Sequence, residues 1–141
     1  MDRDRALELF RSGPEGVERW NRWRRRREPL PDLRHASLQG ADLRGADLSD
    51  IRLQRSDLSD ADLHGVNLER ADLNNCNLRR ADLRRAALRS ADLHGANFHG
   101  ADLRGADLRH AKVRKTSFAK ARVDDDTRTD GFEIGETKAG A

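Results

Sequence analysis

An apolar residue returns at every fifth position from Leu33 to Val123, and leucine holds the place without a break as far as Leu93. That period excludes most folds. Five residues of α-helix turn the direction by about 500°, so successive leucines scatter around the helix and form no apolar stripe. A straight strand fails as well. Its side chains alternate faces, and an odd period throws neighbouring leucines to opposite sides. The pattern buries its leucines only if the chain bends once per block of five.

From Pro31 the sequence divides into nineteen blocks with no insertion, ending at Asp125. Position three is Leu in fifteen blocks and Phe98, Val113, Phe118 or Val123 in the others. Position one is Ala in thirteen, and position two is usually Asp or Asn. Residues one and three of a block share a face, so both point inward. Positions two, four and five line the outside and the corner. Leu43, Leu63, Leu83, Leu103, Leu73, Leu93 and Phe98 are therefore expected core residues. Cys76, alone of its kind and at position one, joins them as a small inert residue. Stacked coils bury what one block cannot, at about 4.8 Å per coil.

These tandem A-(D/N)-L-x-x blocks resemble the pentapeptide-repeat family. The resemblance implies an all-β fold, a right-handed quadrilateral β-helix with four blocks per coil. Nineteen blocks then give nearly five coils, a rod of about 23 Å. The expected organisation is a short N-terminal helical cap over 1–30, the solenoid over 31–125, and a C-terminal cap strand with a tail over 126–141.

A solenoid needs caps, because its end coils expose apolar residues and backbone edges. Residues 2–11 read as an amphipathic helix with Leu7 and Phe10 inward, broken at Gly13-Pro14. Residues 15–27 read as a second helix carrying Trp20 and Trp23. A Trp-x-x-Trp helix ahead of a Pro-Asp-Leu entry, here Trp20, Trp23 and Pro31-Asp32-Leu33, also recurs in the family. At the far end Phe132 and Ile134, alternating with Glu133, fit one short closing strand, followed by a frayed tail.

Charge sets the functional reading. Charged residues make up 38% of the chain and hydrophobic ones 35%, figures that alone would suggest disorder. The net charge is only +3, so steering toward nucleic acid or membrane is mild. Position four places Arg44, His64, Arg84 and Arg104 in one ladder, beside Asp42, Asp62, Asp82 and Asp102 at position two. The adjacent ladders neutralise each other; the sharper reading is an anion-reading stripe. A second basic cluster gathers Arg79, Arg80, Arg84, Arg85 and Arg89. The run Arg24, Arg25, Arg26 and Arg27 ends the second helix, where cations suit the macrodipole. No aromatics interleave with these arginines, which weighs against direct nucleic-acid binding. The five histidines form no spaced ligand set with Cys or Glu, so neither a metal nor another cofactor is implied. Nucleophile-elbow, phosphate-loop and zinc-protease motifs are missing. There is no apolar leader and no span of about 20 apolar residues, so a cytoplasmic location is expected.

The expected function is a noncatalytic protein-binding or scaffold module whose partner the sequence does not name. The family resemblance implies an alternative. Some members mimic DNA and occupy DNA gyrase, relieving quinolone or toxin poisoning. This solenoid departs from such a mimic, with 17 Lys/Arg against 15 Asp/Glu over residues 31–125. The expected state is a monomer, or a homodimer through the C-terminal end.

Overall fold

The computed structural model of the chain describes residues 1–134. Two helices, α1 (Arg3–Phe10) and α2 (Gly13–Arg24), precede a coil that turns once every twenty residues. Parallel bridges join each position-two residue to its equivalent one coil on, from Ser37↔Asp57 to Asp102↔Arg122. With a bend every five residues, the coil has four walls. We number them by their first blocks, which start at residues 31, 36, 41 and 46. Each wall contributes one bridged residue per coil, so the β-ladder consists of isolated bridges and not of long strands.

The five-residue period follows from the hydrogen bonds. Within the stack, four of the five amides of a block have a backbone acceptor of their own. Asp62 N–H, at position two, donates to Ala41 O of the preceding coil, while Leu43 N–H, at position three, donates to Asp62 O of the following coil. Gly45 N–H, at position five, reaches His64 O, and Ala46 N–H closes the turn onto Leu43 O. Position four has no backbone acceptor. All thirteen blocks with Asp or Asn at position two supply one, because the side-chain oxygen accepts from the N–H two residues on. The preference for Asp or Asn is thus a backbone requirement.

Every position five from His35 to Lys120 has positive φ, whether glycine or not. Twelve bulky or polar residues, Arg85 and Lys115 among them, hold this left-handed geometry, which the glycines alone had signalled. Inside, positions one and three stack in columns. Leu43, Leu63, Leu73, Leu83, Leu93, Phe98 and Leu103 are all at 0% exposure. Polar residues at position one are satisfied by one device. The hydroxyls of Ser56, Thr116 and Thr127 donate to the position-three carbonyls of Leu33, Leu93 and Leu103, and the Cys76 thiol donates to Leu53 O at 2.7 Å.

The helical cap imitates a missing coil. In the stack, a position-two carbonyl accepts from the coil before it; the first coil has none. Arg3 Nη1 donates to Asp32 O, Arg11 Nη2 to Ser37 O, and both Trp20 Nε1 and Arg24 Nη1 to Asp47 O. Asp47 N–H donates to the side chain of Asn21. Leu7, Phe10, Trp20 and Trp23 are buried beneath the helices, with Phe10 and Trp20 edge to face at 4.7 Å. The first helix is one residue shorter at each end than the sequence reading, with Asp2 and Arg11 as its caps, and both boundaries of the second differ more. The second helix begins at Gly13, because Pro14 fits a first turn whose N–H groups need no intrahelical partner. It ends at Arg24, and Arg27 turns to φ 54°.

The last bridge, Asp107↔Arg128, spans twenty-one residues. One inserted residue widens that turn, and the Asp124 carboxylate braces it by accepting from Gly105, Asp126 and Thr127 N–H. The strand expected at Phe132–Ile134 does not form. These residues close the end by side-chain packing instead. Phe98, Phe118 and Phe132 stack at 5.2 and 6.4 Å, and Ile134 is 4% exposed. The tail expected after Ile134 lies outside the described residues. No helix among the described residues is long and apolar enough to cross a membrane.

Candidate interaction surface

The outward residues of a bent block sit where the turn puts them. Position two projects from the middle of a wall, position four starts the bend, and position five lies at the corner. On the third wall this geometry lets an Arg at position four chelate the Asp two residues before it. Arg44 Nε and Nη2 donate to the two oxygens of Asp42 at 2.8 and 2.7 Å. Arg84 grips Asp82 and Arg104 grips Asp102 in the same way. Arg109 repeats the pair with Asp107 on the fourth wall. Weaker contacts link coils, Arg44 to Asp62 at 3.5 Å and Arg122 to Asp102 at 3.8 Å. Hydrogen bonds from Arg84 hold the Asp82 carboxyl below its usual range. Partial burial pushes Asp102 up, but the Arg104 side-chain and backbone bonds outweigh it and the net shift is downward.

The other arginines singled out by sequence divide into engaged and unengaged groups. Arg80 bonds both oxygens of Asp60 one coil earlier, at 2.8 and 3.0 Å, and Arg89 lies 4.0 Å from Asp107. Arg79 and Arg85 have no ion-pair partner among the described residues, and His64 forms no salt bridge. The run of four also separates. Arg24 folds into the cap at 12% side-chain exposure, near Asp47, with its guanidinium 5.9 Å from the Trp20 ring. It is held by groups the first coil leaves open and is not part of an exposed run. Arg26 pairs with Glu28 at 2.9 Å, while Arg25 and Arg27 are exposed.

Sequence reasoning passed over another set of cations. Lys112, Arg114, Lys115 and Lys120 are exposed and form no ion pair among the described residues. The overlooked signal was the sorting of charge along the chain. Residues 31–75 hold five Lys/Arg and nine Asp/Glu, whereas residues 76–123 hold twelve and four. The small net charge concealed that reversal.

A shallow groove of about 780 Å³ runs along the corner after the third wall, lined by His64, Arg84, Arg85, Arg104, Asp124 and Arg128 among others. Arg84 and Arg104 in it are held by Asp82 and Asp102, and Asp124 and Asp126 add carboxylates at its lower end. Cys76 lies at 1% exposure, and burial pushes its thiol up to about 12, so it carries no thiolate at neutral pH. Among the described residues no group of three or more His, Cys, Asp or Glu is placed to hold a metal ion. No large hydrophobic residue among them is exposed.

The pentapeptide-repeats family model matches eight copies, over residues 32–70, 67–105 and 81–119. Among solved structures, the chain is similar to the pentapeptide repeat protein Rfr23 from the cyanobacterium Cyanothece 51142. The two are 35% identical, with TM-score 0.61, over 73% of this chain and 67% of that one. It is also similar to a pentapeptide repeat protein of the Arabidopsis thaliana thylakoid lumen, at 27% identity and TM-score 0.65 over 67% of this chain and 66% of the other. A comparison with curated protein sequences gave no match.

Proposed function

The chain belongs to the pentapeptide-repeat family, and from that premise we propose that it is a noncatalytic module that binds or scaffolds another protein. We assign residues 31–125 the right-handed quadrilateral winding of that family. The observation that carries the functional reading is the union of a filled interior with fixed outer columns. Position-one and position-three side chains occupy the axis, so every wall presents positions two, four and five in register on a rigid frame. Such a frame binds with little ordering cost, because its backbone is set before the partner arrives. A closely packed column of leucines also offers no pocket in which a small substrate could be enclosed.

Copurification from the native host tests the reading. Wild-type protein is expected to retain a protein that is lost when outward cations are replaced by Gln on the first, second and third walls. Equal retention by both forms would remove charge from the mechanism. The topoisomerase alternative rests on the family resemblance, and the charge of the walls opposes it. A duplex mimic must be clearly acidic, whereas this solenoid has a small basic excess. In a gyrase supercoiling assay with a fluoroquinolone, no protection is expected. Protection at substoichiometric protein would replace our reading. A cytoplasmic location remains part of the same proposal.

A further inference from the structure

Charge sorting along the axis sharpens where and what this module binds. Of the twelve cations between Cys76 and Val123, Arg80, Arg84, Arg89, Arg104, Arg109 and Arg122 face carboxylates within ion-pair distance. The other six are Arg79, Arg85, Lys112, Arg114, Lys115 and Lys120. Four of these six fall in two consecutive blocks of the last coil: Lys112 and Arg114 on the first wall, Lys115 at the corner between the first and second walls, and Lys120 at the next corner. Over the last two coils those walls carry a single carboxylate, Asp92, which stands one coil from Lys112 in the same column and accepts the His94 N–H. The other outward side chains nearby are His94, His99, Asn97 and Ser117. The acidic turn at Asp124–Asp126 belongs to the third wall and the corner after it, half a coil from Arg114 and Lys115, so it does not quench that corner, while Lys120 stands nearer to it.

We propose that the corner formed by Lys112, Arg114 and Lys115, flanked by Lys120 at the next corner, is the docking site for an acidic segment of a partner protein. The inference rests on the protein-binding reading above and names the site and the chemistry of its partner. Where Arg holds position four behind an Asp at position two, as in Asp82–Arg84 and Asp107–Arg109, the two neutralise each other within the block; this block carries Lys112 and Arg114 at those places, with Lys115 at the corner. A bonding-competent backbone edge is not required, since the coil is already paired to the one before it through Lys112 N–H and O. The contact is therefore made by side chains. Each exposed ion pair is weak alone, so recognition depends on several carboxylates engaging together. Affinity must fall as salt rises.

A nucleic acid is the less suitable occupant. The cations cover one coil of a narrow rod, not a track, and exposed aromatic rings to stack bases are absent from the described residues. The columns of Asp72 and Asp92 on the same wall would meet a continuous phosphate backbone with like charge. A short run of Glu or Asp can end where those carboxylates begin.

Fluorescence anisotropy with a fluorescein-labelled decaglutamate peptide tests the site on the full chain at about 50 mM salt, near a Debye length of ~14 Å. Saturable binding is expected, weakened at least tenfold in the triple variant Lys112→Glu, Arg114→Glu and Lys115→Glu. A control with the same change in net charge, Arg5→Glu, Arg19→Glu and Arg22→Glu in the cap, should lose less than threefold. Circular dichroism and a melting curve establish that both variants are folded. A 20-base-pair DNA duplex runs in parallel. Equal losses in the two variants would reduce the effect to net charge and overturn the site. No saturable binding of the peptide, or tighter binding of the duplex with the same loss in the first variant, would overturn the acidic-protein partner. In each such case, retention of a host protein in the copurification experiment would leave the broader protein-binding reading standing.

Discussion

At the scale of single residues, the molecule is governed by what each block position must supply. Position four needs a side-chain acceptor for its N–H, and position two is where that acceptor sits. Ala87 leaves Arg89 without one, although the same wall has Asn67 one coil before and Asp107 one coil after. Ala87→Asp should accept the Arg89 N–H and chelate its guanidinium, as Asp107 does for Arg109. A gain of about 1 kcal/mol is expected, read as a higher urea midpoint at unchanged slope. An unchanged midpoint would mean that the Asp and Asn pattern has another cause. The same logic applies to Cys76. Its thiol donates to Leu53 O and its proton is held by burial. Ellman's reagent should leave it untouched in native protein and titrate one thiol after unfolding in denaturant. Rapid reaction of the folded chain would show that this part of the column opens.

At the scale of elements, α1 and α2 must approach closely enough to act as a substitute coil. Gly16 makes that approach fit, since a Cβ there would lie 1.8 Å from Leu9 O of α1. Gly16→Ala should force the helices apart and cost about 1–3 kcal/mol. It should also expose Trp20 and Trp23, visible as a red shift in fluorescence. Unchanged emission and stability would show that the cap tolerates the gap. The solenoid was largely legible in the sequence, because Leu33 to Val123 mark the bend of every block. Both cap helices were legible from Leu7, Phe10, Trp20 and Trp23. The place of Arg24 was not. Its partners Asp47 and Ser49 lie more than twenty residues away, on a coil edge that exists only once the chain is wound. The closing end was misread for a related reason. Phe132 alternates with Glu133 as in a strand, but one inserted residue before Thr127 changes the register in which it arrives. The candidate surface was legible as a set of arginines and not as a set of free ones, because pairing is a property of neighbouring columns.

At the scale of the whole molecule, the paired columns make stability depend on pH in a definite direction. Asp42, Asp82 and Asp107 are held below the usual carboxylate range chiefly by hydrogen bonds from Arg44, Arg84 and Arg109. Arg80 does the same for Asp60. A carboxyl with a depressed folded pKa binds protons less readily than in the unfolded chain, so acid favours unfolding. Its contribution is present above the unfolded value, near 4, and is lost as the pH falls through the lower folded value. The urea midpoint is therefore expected to be flat between pH 7 and about 5 and to decline below about 4. Asp82→Asn with Asp102→Asn separates charge from backbone acceptance. Asn keeps the side-chain oxygen that receives the Arg84 and Arg104 N–H groups, yet it cannot be protonated over this range. The double variant should be slightly less stable at pH 7 and should lose less of its stability on going to pH 3. If wild type and variant decline in parallel, the Asp–Arg columns of the third wall are not what acid dismantles, and the charges of the wall serve recognition or solubility alone.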